Sequence, residues 1–389
     1  MTQDSISTVA AGLRARIQAG TVAYGGLEQA RISSSLFHLL PEVSIDAHDA
    51  LIADILLHQH LAAAEPQHWA EIYPGMQAEG PGLAQAQGGE PAIFCSFHYG
   101  SYRLVLPWLL ETKGAVTMLI DRSVAAGQGE SFQQKVAEFA RVRGNAGDLI
   151  IRDTSDGQVV LRLLRDLRQG RSLLLFVDAN LGTQPAAVTA DGEPSPHEAA
   201  VDFLGARLWT RTGASVLSCL GQRPIVPLLP LREAPGRARV RLQCFDPILP
   251  GPDRHAHAVP SMQALWQVLE QALRHDPAPW ECWRYVDRSL DPRSLTRLLP
   301  GSEPGDLAAR TWRLHSQRYL LETGWSTTRV LFDRCLMRSF LISGALADTL
   351  ERLRGAATPG AELLRWPGLN RATLTGFVQR GLLVDAGPA

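Results

Sequence analysis

The sequence of 389 residues predicts an α/β protein with a mixed sheet flanked by helices. Short apolar runs alternate with amphipathic segments between about residues 86 and 295, a pattern typical of strands connected by helices. Before and after this region the spacing of apolar residues favours helices instead. We therefore predict a helical N-terminal region at 1–85, an α/β domain at 86–295, and a small, mostly helical C-terminal module at 305–389.

The N-terminal region contains one clear helix and ends in a predicted linker. Leu51–Ala64 is apolar on most faces, which favours a helix packed in a core. Gln77–Glu90 is rich in glycine, alanine and glutamine, and we interpret it as the linker that leads into the α/β domain.

In the α/β domain most apolar runs are followed by a segment with helical spacing, and this order predicts a sheet with parallel portions. The predicted strands are Pro91–Phe97, Ala115–Ile120, Asp148–Arg152, Ser172–Val177, Ile225–Leu231 and the half-exposed Ala238–Phe245. The predicted helices are Tyr102–Glu111, Ser131–Arg143, Gly157–Arg168, Arg211–Leu220 and Pro260–Arg274.

Pro292–Pro304 is predicted to be a second linker, after which the C-terminal module begins. We predict helices at Asp306–Glu322, Thr327–Phe332 and Ala345–Leu353. The chain then ends in a helix, a turn, a helix, a glycine and a strand. This ending resembles that of small winged-helix-like modules such as precursor-peptide-binding domains. A net charge of −1 favours a packing or partner-binding role over nucleic-acid binding.

Composition excludes several classes of protein. With 38 basic and 39 acidic residues, no broadly basic surface for nucleic acid is expected. No apolar run approaches the roughly 18–20 residues that span a bilayer, and the N-terminus lacks the pattern of a secretory signal. We expect a cytoplasmic protein without a transmembrane segment, for which peripheral membrane contact stays open. Its cysteines, odd in number and without a CxxC pair, are predicted to be reduced: Cys95, Cys219, Cys244, Cys282 and Cys335.

The candidate site begins at His98, at the end of an apolar run and before a turn and a helix, in FCSFHYGSYRLVLPWL. Open α/β sheets place their sites where strands end and helices begin. Ser101 is predicted to cap the following helix rather than to act as a nucleophile, since no G-x-S-x-G elbow surrounds it.

This segment resembles the His-x-x-x-x-Asp/Glu motif of the lysophospholipid acyltransferase-like superfamily, above all the bacterial lipid A biosynthesis (late) acyltransferases. The resemblance covers about residues 86–290, where further features of the family follow in order. They are Arg122 in IDRS, Arg143-Gly144, Asp178, Asn180 and Gly182 in VDANLG, Phe203, Gly205, Thr210, Thr212 and Gly213 in the next segment, and Trp280, Trp283 and Arg284 in PAPWECWRYVDR.

The resemblance implies an acyltransferase in which His98 is the general base toward an attacking hydroxyl or amine. Acyl-CoA or an acyl or peptidyl carrier protein is the implied donor, with no bound cofactor and no metal. Arg122 and Arg143 are expected to contact the substrates. The membrane anchor of the lipid A enzymes has no counterpart here, so we expect a lipid-like or specialised-metabolite acceptor, with the C-terminal module holding a carrier protein or peptide. The other expected substrate-binding residues are Gly100, Ser101, Gly205 and Thr212.

The sequence departs from the family pattern at Arg103, which occupies the position of the acid. A guanidinium lowers the pKa of a neighbouring histidine. Three interpretations follow: another acid, Asp178 or Asp121, replaces it; the nucleophile is an amine or a polarised group that needs less help from a strong base; or catalysis is lost and the fold is kept. Arg103 is also a candidate to bind a phosphate or carboxylate of a substrate.

The competing hypothesis is a non-catalytic binding protein that keeps the acyltransferase fold and holds a lipid, a carrier protein or a peptide. A carboxylate within about 3 Å of His98 would favour the enzyme, and an apolar surround would favour the binding protein. Trp280 and Trp283 fit either the floor of an acyl pocket or the core.

Overall fold

A computed structural model describes residues 5–121, 134, 136–141, 143–144, 147–179, 197–323 and 329–388. The chain divides into two compact units. One comprises Met1–Ala23 and Ala50–Asp291, and the other comprises Tyr24–Asp49 and Pro292–Ala389. The predicted N-terminal region is thus shared between the units, because residues 24–49 cluster with the C-terminal part of the chain. Among the described residues, no helix combines the length and apolar character that crossing a membrane requires.

A seven-stranded mixed sheet forms the centre of the first unit, as predicted. The strand order is β1-β9-β8-β2-β5-β3-β4, in which β8 and β9 are antiparallel and the other neighbours are parallel. The strands are β1 (Met76–Glu79), β2 (Ile93–Ser96), β3 (Ala115–Ile120), β4 (Asp148–Asp153), β5 (Ser172–Phe176), β8 (Ile225–Arg232) and β9 (Val240–Cys244), and β6 (Glu198–Phe203) with β7 (Ala206–Arg211) forms a separate hairpin.

Helices flank this sheet. They are α1 (Ile6–Gln18), α3 (His48–Ala64, which starts within the other unit), α4 (Trp69–Ile72), α5 (Leu83–Gln87), α6 (Val105–Lys113), α7 (Val159–Arg168), α8 (Gly213–Gly221) and α9 (Arg254–His275). Residues 136–141 are also helical, within the predicted helix Ser131–Arg143. Short 3-10 helices lie at Glu65–Gln67, Tyr73–Gly75, Tyr102–Leu104, Glu281–Arg284 and Val286–Arg288.

The central strands were predictable because they are buried. All four residues of β2 are buried between β5 and β8, and such strands are continuous apolar runs in the sequence. Phe94, Leu174 and Val226, from these three strands, share one core cluster with Trp108 of α6 and Ile6 of α1.

The linker predicted at Gln77–Glu90 is wrong. Gln77–Glu79 belongs to β1, which pairs in parallel with β9 at the edge of the sheet, and α5 follows. An edge strand has only one neighbour, and β1 alternates half-buried with exposed residues. It therefore lacks the apolar run by which the other strands were predicted.

The second unit contains more strands than predicted. It consists of α2 (Gly26–Leu39), β10 (Arg310–Leu314), β11 (Tyr319–Thr323), β12 (Arg329–Asp333), β13 (Arg338–Leu341), α10 (Gly344–Gly355), β14 (Thr358–Pro359), α11 (Gly360–Leu363), α12 (Arg371–Gln379) and β15 (Leu383–Pro388), with 3-10 helices at Ile45–Ala47, Pro292–Ser294 and Leu307–Ala309. The strand orders are β14-β10-β15 and β11-β12-β13.

The helices predicted at Asp306–Glu322 and Thr327–Phe332 are therefore wrong, and the module is not mostly helical where it is described. Trp312 and Leu314 of β10 are buried with an exposed residue between them, which is the period of a strand. Their arginine and leucine neighbours suggested a helix, but pairing with β14 and β15 decides the structure. The helix predicted at Ala345–Leu353 is confirmed as α10.

Candidate active site

His98 and Asp178 meet at the carboxyl-terminal edge of the central sheet. His98 follows β2 and Asp178 follows β5, and these strands are parallel neighbours. The Nδ1 atom of His98 lies 2.8 Å from Oδ1 of Asp178, and the backbone N–H of His98 donates to Oδ2 at 2.9 Å. Asp178 is fully buried, whereas 24% of the His98 side chain is exposed. The acid that contacts His98 is thus supplied by the neighbouring strand.

Two further groups fix the Asp178 carboxylate. Besides the two His98 donors, Oδ2 accepts from the indole N–H of Trp280 at 2.8 Å and from the Cys282 thiol at 3.4 Å. Burial alone would raise the pKa of Asp178, but the charge of His98 and these hydrogen bonds outweigh it and hold the pKa below its usual value. Asp178 therefore stays ionised and accepts the Nδ1 proton of His98.

Two aromatic side chains, which also contact each other, pack against the ring of His98. Tyr102 packs edge-on at 4.8 Å between ring centroids, and Phe176 lies tilted at 4.9 Å. Since Nδ1 donates to Asp178, the lone pair of the neutral imidazole is on Nε2, for which the described residues offer no hydrogen bond. Burial lowers the pKa of His98, but the Asp178 carboxylate raises it by more, so the net shift is upward.

The turn after His98 depends on a glycine. Gly100 has φ +60°, and a Cβ there would lie 2.3 Å from the carbonyl oxygen of Pro230. Its N–H donates to the Pro279 carbonyl at 3.0 Å. Only glycine combines this backbone conformation with such a close approach. Gly100 thus has a backbone role in shaping the turn, and a substrate contact of this residue stays a prediction.

Ser101 is at the N-cap position of the 3-10 helix Tyr102–Leu104 as predicted, but its side chain makes no capping hydrogen bond, so the predicted bond to backbone N–H groups is wrong. Its hydroxyl donates to Glu65 Oε1 at 2.9 Å and accepts from Arg232 Nη2 at 2.9 Å, and Glu65 and Arg232 form an ion pair. All three side chains are almost fully buried. Ser101 bonds to Glu65 instead of the helix backbone because the chain after α3 brings this carboxylate to the turn. Sequence reasoning missed Glu65 and Arg232; a cation ending the apolar run IVPLLPLR was the available signal.

Arg103 lies in the same turn, at the motif position where the family has the acidic partner of the histidine. Its Nε atom is buried without a hydrogen-bond partner, and its Cζ lies 5.1 Å from the centre of the Tyr102 ring. The neighbouring acid is Glu281, whose backbone N–H donates to the His98 carbonyl at 3.0 Å and whose carboxylate accepts from the Tyr102 hydroxyl at 3.4 Å. Sequence reasoning did not single out Glu281.

Two residues that the sequence placed near the site lie elsewhere. Arg143 pairs with Glu111 at 2.9 Å and lies over the Tyr73 ring at 5.2 Å, so its described contacts are with α6 and a neighbouring aromatic ring rather than with His98. Asp121 accepts from the Thr154 hydroxyl at 3.4 Å, so Asp178 and not Asp121 contacts His98. Arg122, Asn180 and Gly182 lie outside the described residues.

The remaining predicted residues occupy structural positions. Gly205 (φ +80°) and Leu204 (φ +50°) form the two-residue turn of the β6–β7 hairpin, which requires positive φ at both positions. Thr212 precedes α8, and its hydroxyl donates to the His197 carbonyl at 3.2 Å. Substrate contacts of Gly205 and Thr212 stay predictions. Trp280 and Trp283 are fully buried, which favours the core.

His98, Asp178 and Cys282 offer potential metal-ligand atoms within 4.8 Å of one another. Burial and the neighbouring carboxylates raise the pKa of the Cys282 thiol well above its usual value, which opposes the thiolate that binds metals. The oxygens of Asp178 are already occupied by four donors. The donor set therefore fits a hydrogen-bonded base and orienting acid better than a metal site.

No model of a known protein family matches the chain, and no curated protein sequence matches it. Among solved structures, the chain is similar to the crystal structure of the 1-acyl-sn-glycerophosphate (LPA) acyltransferase PlsC from Thermotoga maritima. The two are 10% identical with a TM-score of 0.31, and the alignment covers 62% of this chain and 88% of that one. At this TM-score the likeness carries no argument about function.

Proposed function

We propose that the protein is an acyltransferase that uses His98 as general base, oriented by Asp178. The observation that carries this proposal is the 2.8 Å contact between His98 Nδ1 and the buried Asp178 carboxylate, at the sheet edge where open α/β proteins bind ligands. The donor in this proposal is a thioester of CoA or of a carrier protein. The acceptor is an amine or hydroxyl on a lipid-like or specialised-metabolite molecule.

In the proposed reaction, Nε2 of His98 removes a proton from the acceptor as its oxygen or nitrogen attacks the thioester carbonyl. The tetrahedral intermediate collapses with cleavage of the carbon–sulfur bond, and the imidazolium returns the proton to the leaving thiolate. Asp178 holds the Nδ1–H tautomer and stabilises the imidazolium while it exists. Packing of Tyr102 and Phe176 against the ring keeps it in the orientation that directs Nε2 away from Asp178.

A second candidate function is a binding protein without catalysis. The surroundings of His98 favour the enzyme over this alternative. A buried carboxylate with a lowered pKa carries a desolvation cost, and an apolar cavity for lipid binding has no need of it. The Asp178 carboxylate accepts four hydrogen bonds, two of them from His98, so much of its environment serves to orient this histidine.

The test measures thiol release and acyl product formation with acyl-CoAs of several chain lengths and with acyl carrier protein, using amine and alcohol acceptors. We expect His98→Ala to lower turnover by at least about 100-fold, the typical contribution of a general base. His255→Ala is the matched control, because His255 is exposed at the start of α9. Turnover that is unchanged in His98→Ala would refute the proposed role.

A further inference from the structure

Arg103 is a cation in the turn of the candidate active site without an ion pair to any acidic group in the described part of the chain. Its Nε–H is buried and makes no hydrogen bond, although the residue as a whole is only half-buried. In contrast, Arg232, the buried cation that β8 brings to this turn, is paired with Glu65 and donates to Ser101 and to the Arg237 carbonyl. Because Arg103 is partly exposed and has no ion-pair partner among the described residues, an anionic ligand can pair with its guanidinium.

The position of Arg103 connects it to the base. Its Cζ lies 5.1 Å from the centre of the Tyr102 ring, and the His98 ring lies 4.8 Å from the same centre. Burial raises the pKa of Glu281, and the charges of His98 and Arg103 both oppose this rise, so the three groups share one electrostatic environment. A group bound by Arg103 is therefore near the atom that His98 deprotonates.

We propose that Arg103 binds a carboxylate of the acyl acceptor, so that the acceptor is a carboxylate-bearing amine or alcohol such as an amino acid. This inference rests on the proposed acyltransferase function and names its acceptor class. A guanidinium presents two parallel N–H donors that match the two oxygens of a carboxylate. Bound in this way, the acceptor has its amine or hydroxyl held beside the turn that carries His98.

The surroundings favour a carboxylate over a phosphate. Glu281 is an acidic group close to both Arg103 and His98, and Glu65, although paired with Arg232, also interacts electrostatically with Arg103. A phosphate monoester carries nearly two negative charges, and these acids repel it more strongly than they repel a carboxylate with one charge. One unpaired guanidinium balances the charge of one carboxylate.

The first experiment measures binding and needs no turnover. Isothermal titration calorimetry on the full-length protein compares N-decanoylglycine, its primary amide and the corresponding N-decanoyl aminomethylphosphonate, which mimic acylated acceptors. We expect the carboxylate to bind about 10- to 100-fold more tightly than the amide, as charge-assisted hydrogen bonds to a partly buried guanidinium predict. In Arg103→Met the carboxylate and amide should bind equally, while Arg103→Lys should keep part of the preference. Arg241→Met, at an exposed ion pair with Glu79, is the matched control.

Equal binding of carboxylate and amide by the wild type, a preference for the phosphonate, no binding at millimolar concentration, or an unchanged preference in folded Arg103→Met would each overturn the proposal. A parallel kinetic measurement compares glycine with glycinamide as acceptors of an acyl-CoA. If no acyl group is transferred to any acceptor, the proposed acyltransferase function is contradicted. The calorimetric preference for carboxylate over amide tests the role of Arg103 separately.

Discussion

His98 and Asp178 are separated by 80 positions in the chain, yet the backbone N–H and the ring Nδ1 of His98 both donate to the two oxygens of Asp178. This double contact exists because β2 and β5 are parallel neighbours that end at the same level. The acid therefore approaches from the adjacent strand, and the position five residues after His98 is free to hold Arg103. An orienting acid is defined by its geometry around the imidazole and not by its distance along the chain.

Asp178→Asn should lower kcat/KM by about 10²–10⁴-fold, because an amide neither fixes the Nδ1–H tautomer nor stabilises the imidazolium. Steady-state kinetics with an acyl-CoA donor measures the loss, and circular dichroism establishes that the variant is folded. Activity within a factor of three of the wild type would show that His98 does not depend on Asp178.

The pH dependence of activity has a definite sign. A general base works when neutral, so kcat/KM should rise as the pH increases through the pKa of His98, which lies above its usual value of 6.5. Removing the Asp178 charge should move this acidic limb to lower pH while reducing the maximum rate. NMR titration of the His98 ring in both proteins measures its pKa independently. An acidic limb of the pH profile that does not move in the Asp178 variant would contradict the assignment of His98 as the base.

The raised pKa of His98 also links this residue to stability. Protonated His98 is stabilised in the folded state by Asp178. This contribution is complete below the pKa of the unfolded state and is lost as the pH rises through the folded-state pKa. The difference in unfolding free energy between wild type and His98→Ala should therefore be larger at pH 5 than at pH 9, as measured by urea denaturation. An equal difference at both pH values would count against the ion pair.

Gly100→Ala should destabilise the protein more than Gly170→Ala does. Both glycines have positive φ, which costs alanine about 1–2 kcal/mol. At Gly170 nothing lies within 4 Å of the added Cβ, whereas at Gly100 the Pro230 carbonyl lies 2.3 Å away, and this overpacking should cost about a further 1–3 kcal/mol. Urea denaturation measures both values, and equal losses would show that the close approach has no energetic effect.

Arg232→Met should lower the free energy of unfolding by about 3–5 kcal/mol, because it leaves the Glu65 carboxylate buried without its counter-charge. Arg241→Met, which breaks the exposed pair with Glu79, should cost less than about 1 kcal/mol. The double variant Glu65→Leu/Arg232→Met should lose less than the two single variants together. If Arg232→Met lowers the free energy of unfolding by as little as Arg241→Met does, the buried pair of Glu65 and Arg232 does not stabilise the fold.

Several features of the fold follow from local sequence. The strands β2, β3, β5 and β8 are apolar runs that are largely buried in the sheet, so periodicity and length identify them. Edge strand β1 and strand β10 have exposed residues between buried or half-buried ones, and the same method failed there and at β11 and β12. In these segments pairing with distant partners outweighs local propensity.

By itself, the sequence determined the central α/β architecture, the position of His98 at a strand end, and two alternatives for its acidic partner. Tertiary structure decided between Asp178 and Asp121, since only the strand order shows which strand end faces His98. It also placed Glu65 against Arg232, 167 positions away, and separated Arg143 from His98. Buried charges are positioned by packing between distant segments, and local periodicity records which residues are buried but not which of them meet.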